Sequence, residues 1–323
     1  MTQTALSLLT MLLLQQVLRV DVQLQQVIVS VRDDQNRLVK NLRSEDFSVE
    51  ENGVPQNISH FVQDSDAPIS LGILIDTSGS MASKPSGTLS ALRASVGATR
   101  VLMKLMKPGD EFLLMSFAND FNIDQPFTED TARIDARLKQ LVSEGGTNLF
   151  PAVQRALREM KKAKSGKKAL IVITDAQAGG DLDQLRRDIR NSEVLIYTFA
   201  IEGISSTLAY PTYIPPAQGQ RSGAPRRGAA SLPPPPFPGL SMDDMAKRVL
   251  DVLAQESGGQ SVVFDMTSNG LVERMISFVQ EIAAELRGQY TIGYYPPPQK
   301  SSESQIIRVK SAAGRVRVHR ELK

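Results

Sequence analysis

The chain of 323 residues has no cysteine. Disulfides, thiolate metal sites and a cysteine nucleophile are excluded with it. The compartment stays open, because many secreted bacterial proteins also lack disulfides. Histidine is scarce: only His60 and His319 occur, which removes most histidine-based zinc and triad chemistry. Charge of one sign is lacking too. The formal net charge is +2, so no global field marks the chain for nucleic acid or for a membrane surface. Near the N-terminus, residues 5–14 (ALSLLTMLLL) have the length of an export-signal core and are too short to span a bilayer. No Lys or Arg precedes this run and no small-residue cleavage site follows it. Residues 1–18 therefore read as a degenerate export signal, a remnant of one, or a short apolar helix. An extracytoplasmic location is the expectation.

What the chain does have is a clear rhythm. Its length suits one large domain plus a small one. Residues 22–32 (VQLQQVIVSVR) partly alternate and predict a strand. Asp33 to Asn36 is turn chemistry, and residues 37–39 can return as a second strand. Phe47 and Val49 share one strand face, and Asn52-Gly53 marks a hairpin because both residues tolerate positive φ. Residues 19–66 thus form a small β module. From residue 69 short, largely apolar runs appear: 69–75 (ISLGILI), 111–118 (EFLLMSFA), 169–174 (ALIVIT), 194–201 (VLIYTFAI) and 261–264 (SVVF). Such runs mark strands buried on both faces. Helical patterns lie between them at about 86–106, 130–143, 149–164, 181–190, 243–257 and 268–287. The alternation predicts an α/β domain over 67–287, a doubly wound, mainly parallel sheet flanked by helices.

Residues 203–241 break the rhythm with four consecutive prolines at 233–236. Proline lacks a backbone donor and fixes φ, so this is a surface insertion. Residues 289–295 (QYTIGYY), 305–310 (QIIRVK) and 315–319 (RVRVH) return to strand character. Neither flanking segment buries enough apolar surface alone, so 288–323 should pack with the N-terminal module. Arg155, Arg158, Lys161, Lys162, Lys164, Lys167 and Lys168 read as a solvated helix face running into a loop.

Chemistry gathers after the first buried strand, at Asp76-Thr77-Ser78-Gly79-Ser80-Met81. In an open α/β sheet, ligands sit beyond the carboxyl ends of strands. Asp76, Ser78 and Ser80 leave the sheet there with alternate spacing on a turn, so they can point at one centre. Thr147 lies in Gly145-Gly146-Thr147-Asn148, where the glycines allow close backbone approach. Asp175 ends the run ALIVIT, as Asp76 ends the first run. These are hard oxygen donors, suited to Mg²⁺ or Mn²⁺. Singly, Asp76 and Asp175 could cap helices and Thr147 could be a loop hydroxyl. Asp181 reads as a helix N-cap.

The set Asp-x-Ser-x-Ser, then Thr in Gly-Gly-Thr-Asn, then Asp in Thr-Asp resembles the metal-ion-dependent adhesion site of von Willebrand factor A domains. The resemblance covers residues 69 to about 287 and fills all five motif positions. It implies a Rossmann-like fold and a divalent cation, Mg²⁺ with Mn²⁺ or Ca²⁺ as alternatives. It implies that Ser78, Ser80 and Thr147 ligate the metal directly or through water, and that Asp76 and Asp175 often act through water. It also implies an open coordination position for an acidic side chain of a protein partner, and a shift of the last helix when ligation changes. The flanks, Asp46-Phe47-x-Val-x-Glu-Asn-Gly-x-x-Gln-x-Ile and Gln289-Tyr290-x-Ile-Gly-Tyr-Tyr, resemble a subfamily abundant in Acidobacteria and usually exported. One departure is Ala176, where the family often has Gly.

The expectation is a metal-dependent, non-catalytic protein-binding module of adhesion type. Nucleic acid and small-molecule substrates are not expected partners, and membrane association would follow only if residues 1–18 anchor the chain. The alternative is a scaffold or subunit of an envelope or secretion assembly with a structural metal. A hydrolase is remote. An aspartyl phosphatase wants Asp where Ser78 stands, and a subtilisin-like enzyme wants Ser where Asn148 stands, with a histidine base. No phosphate-binding loop motif occurs; Ser165-Gly166-Lys167 is a basic turn.

Overall fold

The computed structural model describes residues 24–35, 37–63, 65–84, 89–175, 181–202, 242–268, 270–296 and 306–322. The apolar segment 1–18 and the insertion 203–241 lie outside them, as does Ala176. The chain divides into two units. The large one is Gln63–Gln289 with Val318–Arg320, and the small one comes from the flanking segments.

In the flanks, β1 (Gln25–Arg32), β2 (Phe47–Glu51), β3 (Val54–Gln56) and β4 (Ile58–Val62) come first in the chain. β11 (Tyr290–Tyr294), β12 (Ile307–Ser311) and β13 (Arg315–Leu322) come last. They form two small sheets, ordered β13-β1-β11-β4 and β12-β2-β3. The pairs β1–β11, β11–β4, β12–β2 and β2–β3 are antiparallel. Phe47 and Val49 are both buried, as their spacing predicts. Asn52 and Gly53 turn the hairpin at φ 50° and 81°. Phe47, Phe61 and Tyr290 pack with ring centroids 5.3–5.6 Å apart. The Tyr290 hydroxyl donates to Val39 O at 3.0 Å and accepts from Leu42 N at 3.1 Å. The expected strand at 37–39 is corrected: only one bridge, Arg32 to Leu38, forms. Asp33 takes the N–H groups of Gln35 and Arg37 and the Arg37 side chain, which closes a local loop before a ladder can grow.

The large unit is built on a six-stranded sheet. Its strands are β5 (Ile69–Asp76), β6 (Glu111–Phe117), β7 (Phe121–Thr128), β8 (Lys167–Thr174), β9 (Leu195–Glu202) and β10 (Ser261–Asp265). The order is β10-β9-β8-β5-β6-β7, parallel except for β7. Helices α1 (Ala91–Lys104), α2 (Thr131–Leu138) and α6 (Leu271–Arg287) cover one face. Helices α3 (Leu149–Met160), α4 (Leu182–Arg190) and α5 (Met242–Ser257) cover the other. Burial on both sides explains why β5 and β6 read as unbroken apolar runs. The sequence pattern does not announce β7, whose residues are mostly half-exposed and which carries Pro126. Both features suit an edge strand and hide the usual strand signal. The helix expected at 130–143 stops at Leu138, and the one expected at 149–164 stops at Met160.

One polar group deep in this unit ties its layers. Asp110 is 3% exposed. Its carboxylate accepts Ile69 N at 2.8 Å and Lys107 N at 2.6 Å and pairs with Arg287 from α6. Replacing it leaves a largely buried guanidinium and two backbone donors without their acceptor. Asp110→Ala should therefore cost about 3–5 kcal/mol, read as a lowered urea midpoint with an unchanged slope. A loss under about 1 kcal/mol would show that water replaces the carboxylate at little cost.

Candidate metal centre

The sheet order dictates where a site can form. The chain leaves β5 toward β6 on one side and leaves β8 toward β9 on the other. The crevice between the carboxyl ends of β5 and β8 is thus the topological switch point, where α/β sheets bind ligands. Asp76 closes β5, and Asp175 directly follows β8.

Asp76 is fully buried. Its Oδ1 accepts Ser78 N at 2.8 Å, and its Oδ2 accepts the Thr174 hydroxyl at 2.6 Å. After Ser78 the chain makes a 3₁₀ turn, Gly79–Ala82, pinned by the fully buried Met81. That turn swings Ser80 back, so that the Ser78 and Ser80 hydroxyl oxygens stand 3.1 Å apart. Ser80 also hydrogen-bonds Asp175. Four of the five predicted residues are therefore one connected cluster.

Thr147 is the fifth. Its half-buried hydroxyl makes no hydrogen bond among the described residues. Its loop is nevertheless sewn to the β5 and β6 exits. Gly145 O accepts Gly79 N at 2.9 Å, Thr77 O accepts Glu144 N at 2.8 Å, and Phe117 O accepts Thr77 N at 2.8 Å. Asn119 holds the far side: its Oδ1 accepts Gly146 N at 2.9 Å, and its backbone O accepts Asn148 Nδ2 at 2.7 Å. Gly145 has φ +80°, and a Cβ there would fall 2.8 Å from Asn119 Nδ2. Sequence reading missed Thr174 and Asn119. Thr174 could have been read from its place in register beside Asp76. Asn119 carries no motif, and only the folded hairpin shows its role. Asp181 caps α4, accepting Gln184 N at 2.9 Å, as expected.

The electrostatics are unfavourable without a cation. Burial first, and then the charge of Asp175, push Asp76 up to about 7, against the hydrogen bonds from Thr174 and Ser78. Burial raises Asp175 as well, against its bond to Ser80. Asp175 Oδ1 is buried and has no hydrogen-bond partner among the described residues. No Lys, Arg or His pairs with either carboxylate among the described residues. Two carboxylates, one of them with an orphaned oxygen, come together with the Ser78 and Ser80 hydroxyls, and hard oxygen donors of this kind fit a divalent cation. No three His, Cys, Asp or Glu side chains gather anywhere among the described residues, this centre included, so its two carboxylates would need hydroxyl donors beside them.

Residues 71–177 match the family model of the von Willebrand factor type A domain. No curated protein matches the chain in sequence. Among solved structures, an aerotolerance-related membrane protein from Bacteroides fragilis shares 18% identity at a TM-score of 0.45, covering 68% of this chain and 98% of that one. BatB from Bacteroides thetaiotaomicron shares 20% at 0.46, covering 67% and 98%. A von Willebrand factor type A protein from Catenulispora acidiphila shares 14% at 0.47, covering 87% and 74%.

The raised Asp76 has a sign that can be read. A carboxylate raised on folding destabilises the fold above its unfolded value near 3.8, and the penalty is full above about pH 7. In EDTA, Asp76→Asn should raise the melting temperature by a few degrees at pH 8, with a gain that shrinks toward pH 5. A gain that is flat with pH, or a loss, would contradict this account of the pair.

Proposed function

We propose that the large unit is a metal-dependent protein-binding module. Asp76, Ser78, Ser80, Thr147 and Asp175 hold a divalent cation, Mg²⁺ first among them, and the module takes an acidic side chain of a partner protein. The supporting observation is the pair of buried carboxylates at the switch point, with one oxygen orphaned and no Lys, Arg or His paired with them among the described residues. When bound, the metal supplies concentrated positive charge and a coordination position that a carboxylate oxygen can fill.

The chain's own residues supply the rest. The Ser78 amide and the Thr174 hydroxyl fix the Asp76 carboxylate, so its charge need not reorganise on binding. The serine hydroxyls stand side by side on a turn that Met81 anchors. Thr147 brings a hydroxyl with no competing partner among the described residues. The loops around the centre exclude part of the water, and attraction between opposite charges is stronger there than in bulk solvent. The reading is non-catalytic: no histidine or lysine accompanies the hydroxyls among the described residues, and a serine needs such a base to become a nucleophile. Among the described residues no helix is long and apolar enough to cross a membrane. The extracytoplasmic part of the proposal rests on residues 5–14 and on the exported subfamily that the flanks resemble.

The test is a Mg²⁺ and Mn²⁺ titration of the full chain by calorimetry, with thermal melts in parallel, on wild type and Asp76→Ala. Saturable binding should occur in wild type only, with about 2.7 kcal/mol of added stability at a hundredfold excess over Kd. Wild type that binds no metal refutes the proposal. A second arm uses acetate as the carboxylate probe. Acetate should shift amide resonances of residues 78–80 and 145–148 only when Mg²⁺ is present. Metal binding without any acetate effect would refute carboxylate capture and favour a structural metal.

A further inference from the structure

A cavity of about 480 Å³ opens beside the metal loops and plays no part in the centre itself. Its size falls within the range of roughly 300–1,000 Å³ typical of ligand pockets. It shares Thr77 and Gly145 with the segments that carry the metal donors, so a partner seated at the centre would lie against it.

Its lining has a definite chemistry. Asp120, Asp124 and Glu144 contribute carboxylates, and no Lys or Arg is among the described lining residues. Asp124 is there because of a β-bulge. Leu114 pairs with Gln125 and Met115 with Ile123, so Asp124 is the extra residue of β7. A bulge re-aims a side chain. The Asp124 carboxylate is hydrogen-bonded by Ser116, and its Oδ2 is left buried without a hydrogen-bond partner among the described residues. Arg137 on α2 acts on Asp124 only through its charge, and its guanidinium donates to Gln140 Oε1 at 3.2 Å. Leu141 and Val142 form an apolar lip, with Val142 71% exposed.

A metal ion does not suit this lining, because no three acidic side chains gather closely enough to share one. An elongated cation does. Arginine has an aliphatic stem for the lip and a planar head with five donors for dispersed carboxylates and amides.

We infer that this cavity is a subsite for a basic side chain, arginine above all, carried by the same partner whose carboxylate the metal centre takes. The inference rests on the proposed function for its partner, while the subsite itself works without metal. The partner is then a protein with an acidic residue and a basic residue close together on its surface.

The experiment uses the full chain and N-acetyl-arginine amide, which carries the cation and no carboxylate. N-acetyl-glutamine amide is the neutral control, and binding is followed by amide shifts in EDTA. The arginine probe should bind saturably and about tenfold more tightly than the control. Asp124→Asn and Glu144→Gln, which lie on different elements, should each weaken it about tenfold at an unchanged melting temperature. Equal binding of the two probes, or indifference to both variants, overturns the subsite. A failed metal centre does not alter this arm, since it contains no metal. In Mg²⁺, peptides joining Asp to Arg through zero, one or two glycines are then compared with Asp–Gln counterparts. One spacing should bind about tenfold more tightly with arginine. No difference at any spacing overturns the shared partner and leaves the metal centre untouched.

Discussion

Burying one carboxylate without a counter-charge is costly, and burying a second beside it adds repulsion to the lost hydration. The large unit does both at the ends of neighbouring strands. Neither group can swing out to relieve the other. The Asp76 carboxylate is held from two sides by Ser78 N and Thr174 Oγ1, and Asp175 is held by Ser80. The hydrogen bonds lower each carboxylate's proton affinity without overcoming burial, and Asp76 still sits at about 7. A positive charge is what the arrangement lacks. That lack connects the buried parallel sheet, which forces the strand ends together, to the binding chemistry proposed for it.

The loops hold this arrangement mainly through backbone groups. The backbone of Thr77 bonds to Phe117, Glu144 to Thr77 and Gly79 to Gly145, and the Thr77 hydroxyl adds a bond to Phe117 O at 3.1 Å. Asn119 then adds a side-chain bond to Gly146 and a backbone bond to Asn148. The division matters. Hydroxyls used to tie loops would not be available as metal donors, and Thr147 is left with no other bond among the described residues. The two glycines at 145 and 146 have a matching reason. A Cβ at either would fall within 3 Å of the Asn119 side chain.

The sheet was legible because burial on both faces leaves its mark on every residue of a strand, as in β5 and β8. That Asp76, Ser78, Ser80 and Asp175 meet was legible because strand ends restrict position, while their use as metal donors together with Thr147 is part of the proposal. Other parts left weaker traces. β7 alternates poorly, contains Pro126 and shifts register twice, so neither period nor composition marks it. The return at 37–39 misled for the opposite reason. Its composition suits a strand, but the Asp33 carboxylate captures the local donors first. Asn119 acts through hydrogen bonds to Gly146 and Asn148, which are distant in sequence, and no local pattern encodes them, whereas Thr174 could be read only from its register beside Asp76.

The irregular edge strand also bears on how a partner can approach. A regular edge would offer an unpaired ladder, and a partner could add a strand beside the metal centre. β7 prevents this. Pro126 has no donor to give, and the two register shifts break the spacing a new strand would need. The same shifts turn Asp124 into a cavity that already shares Thr77 and Gly145 with the metal loops. The device that closes the edge to backbone pairing therefore opens a place for a side chain. The recognition proposed for this end of the sheet would then rest on side-chain charge and shape, read at two adjoining points.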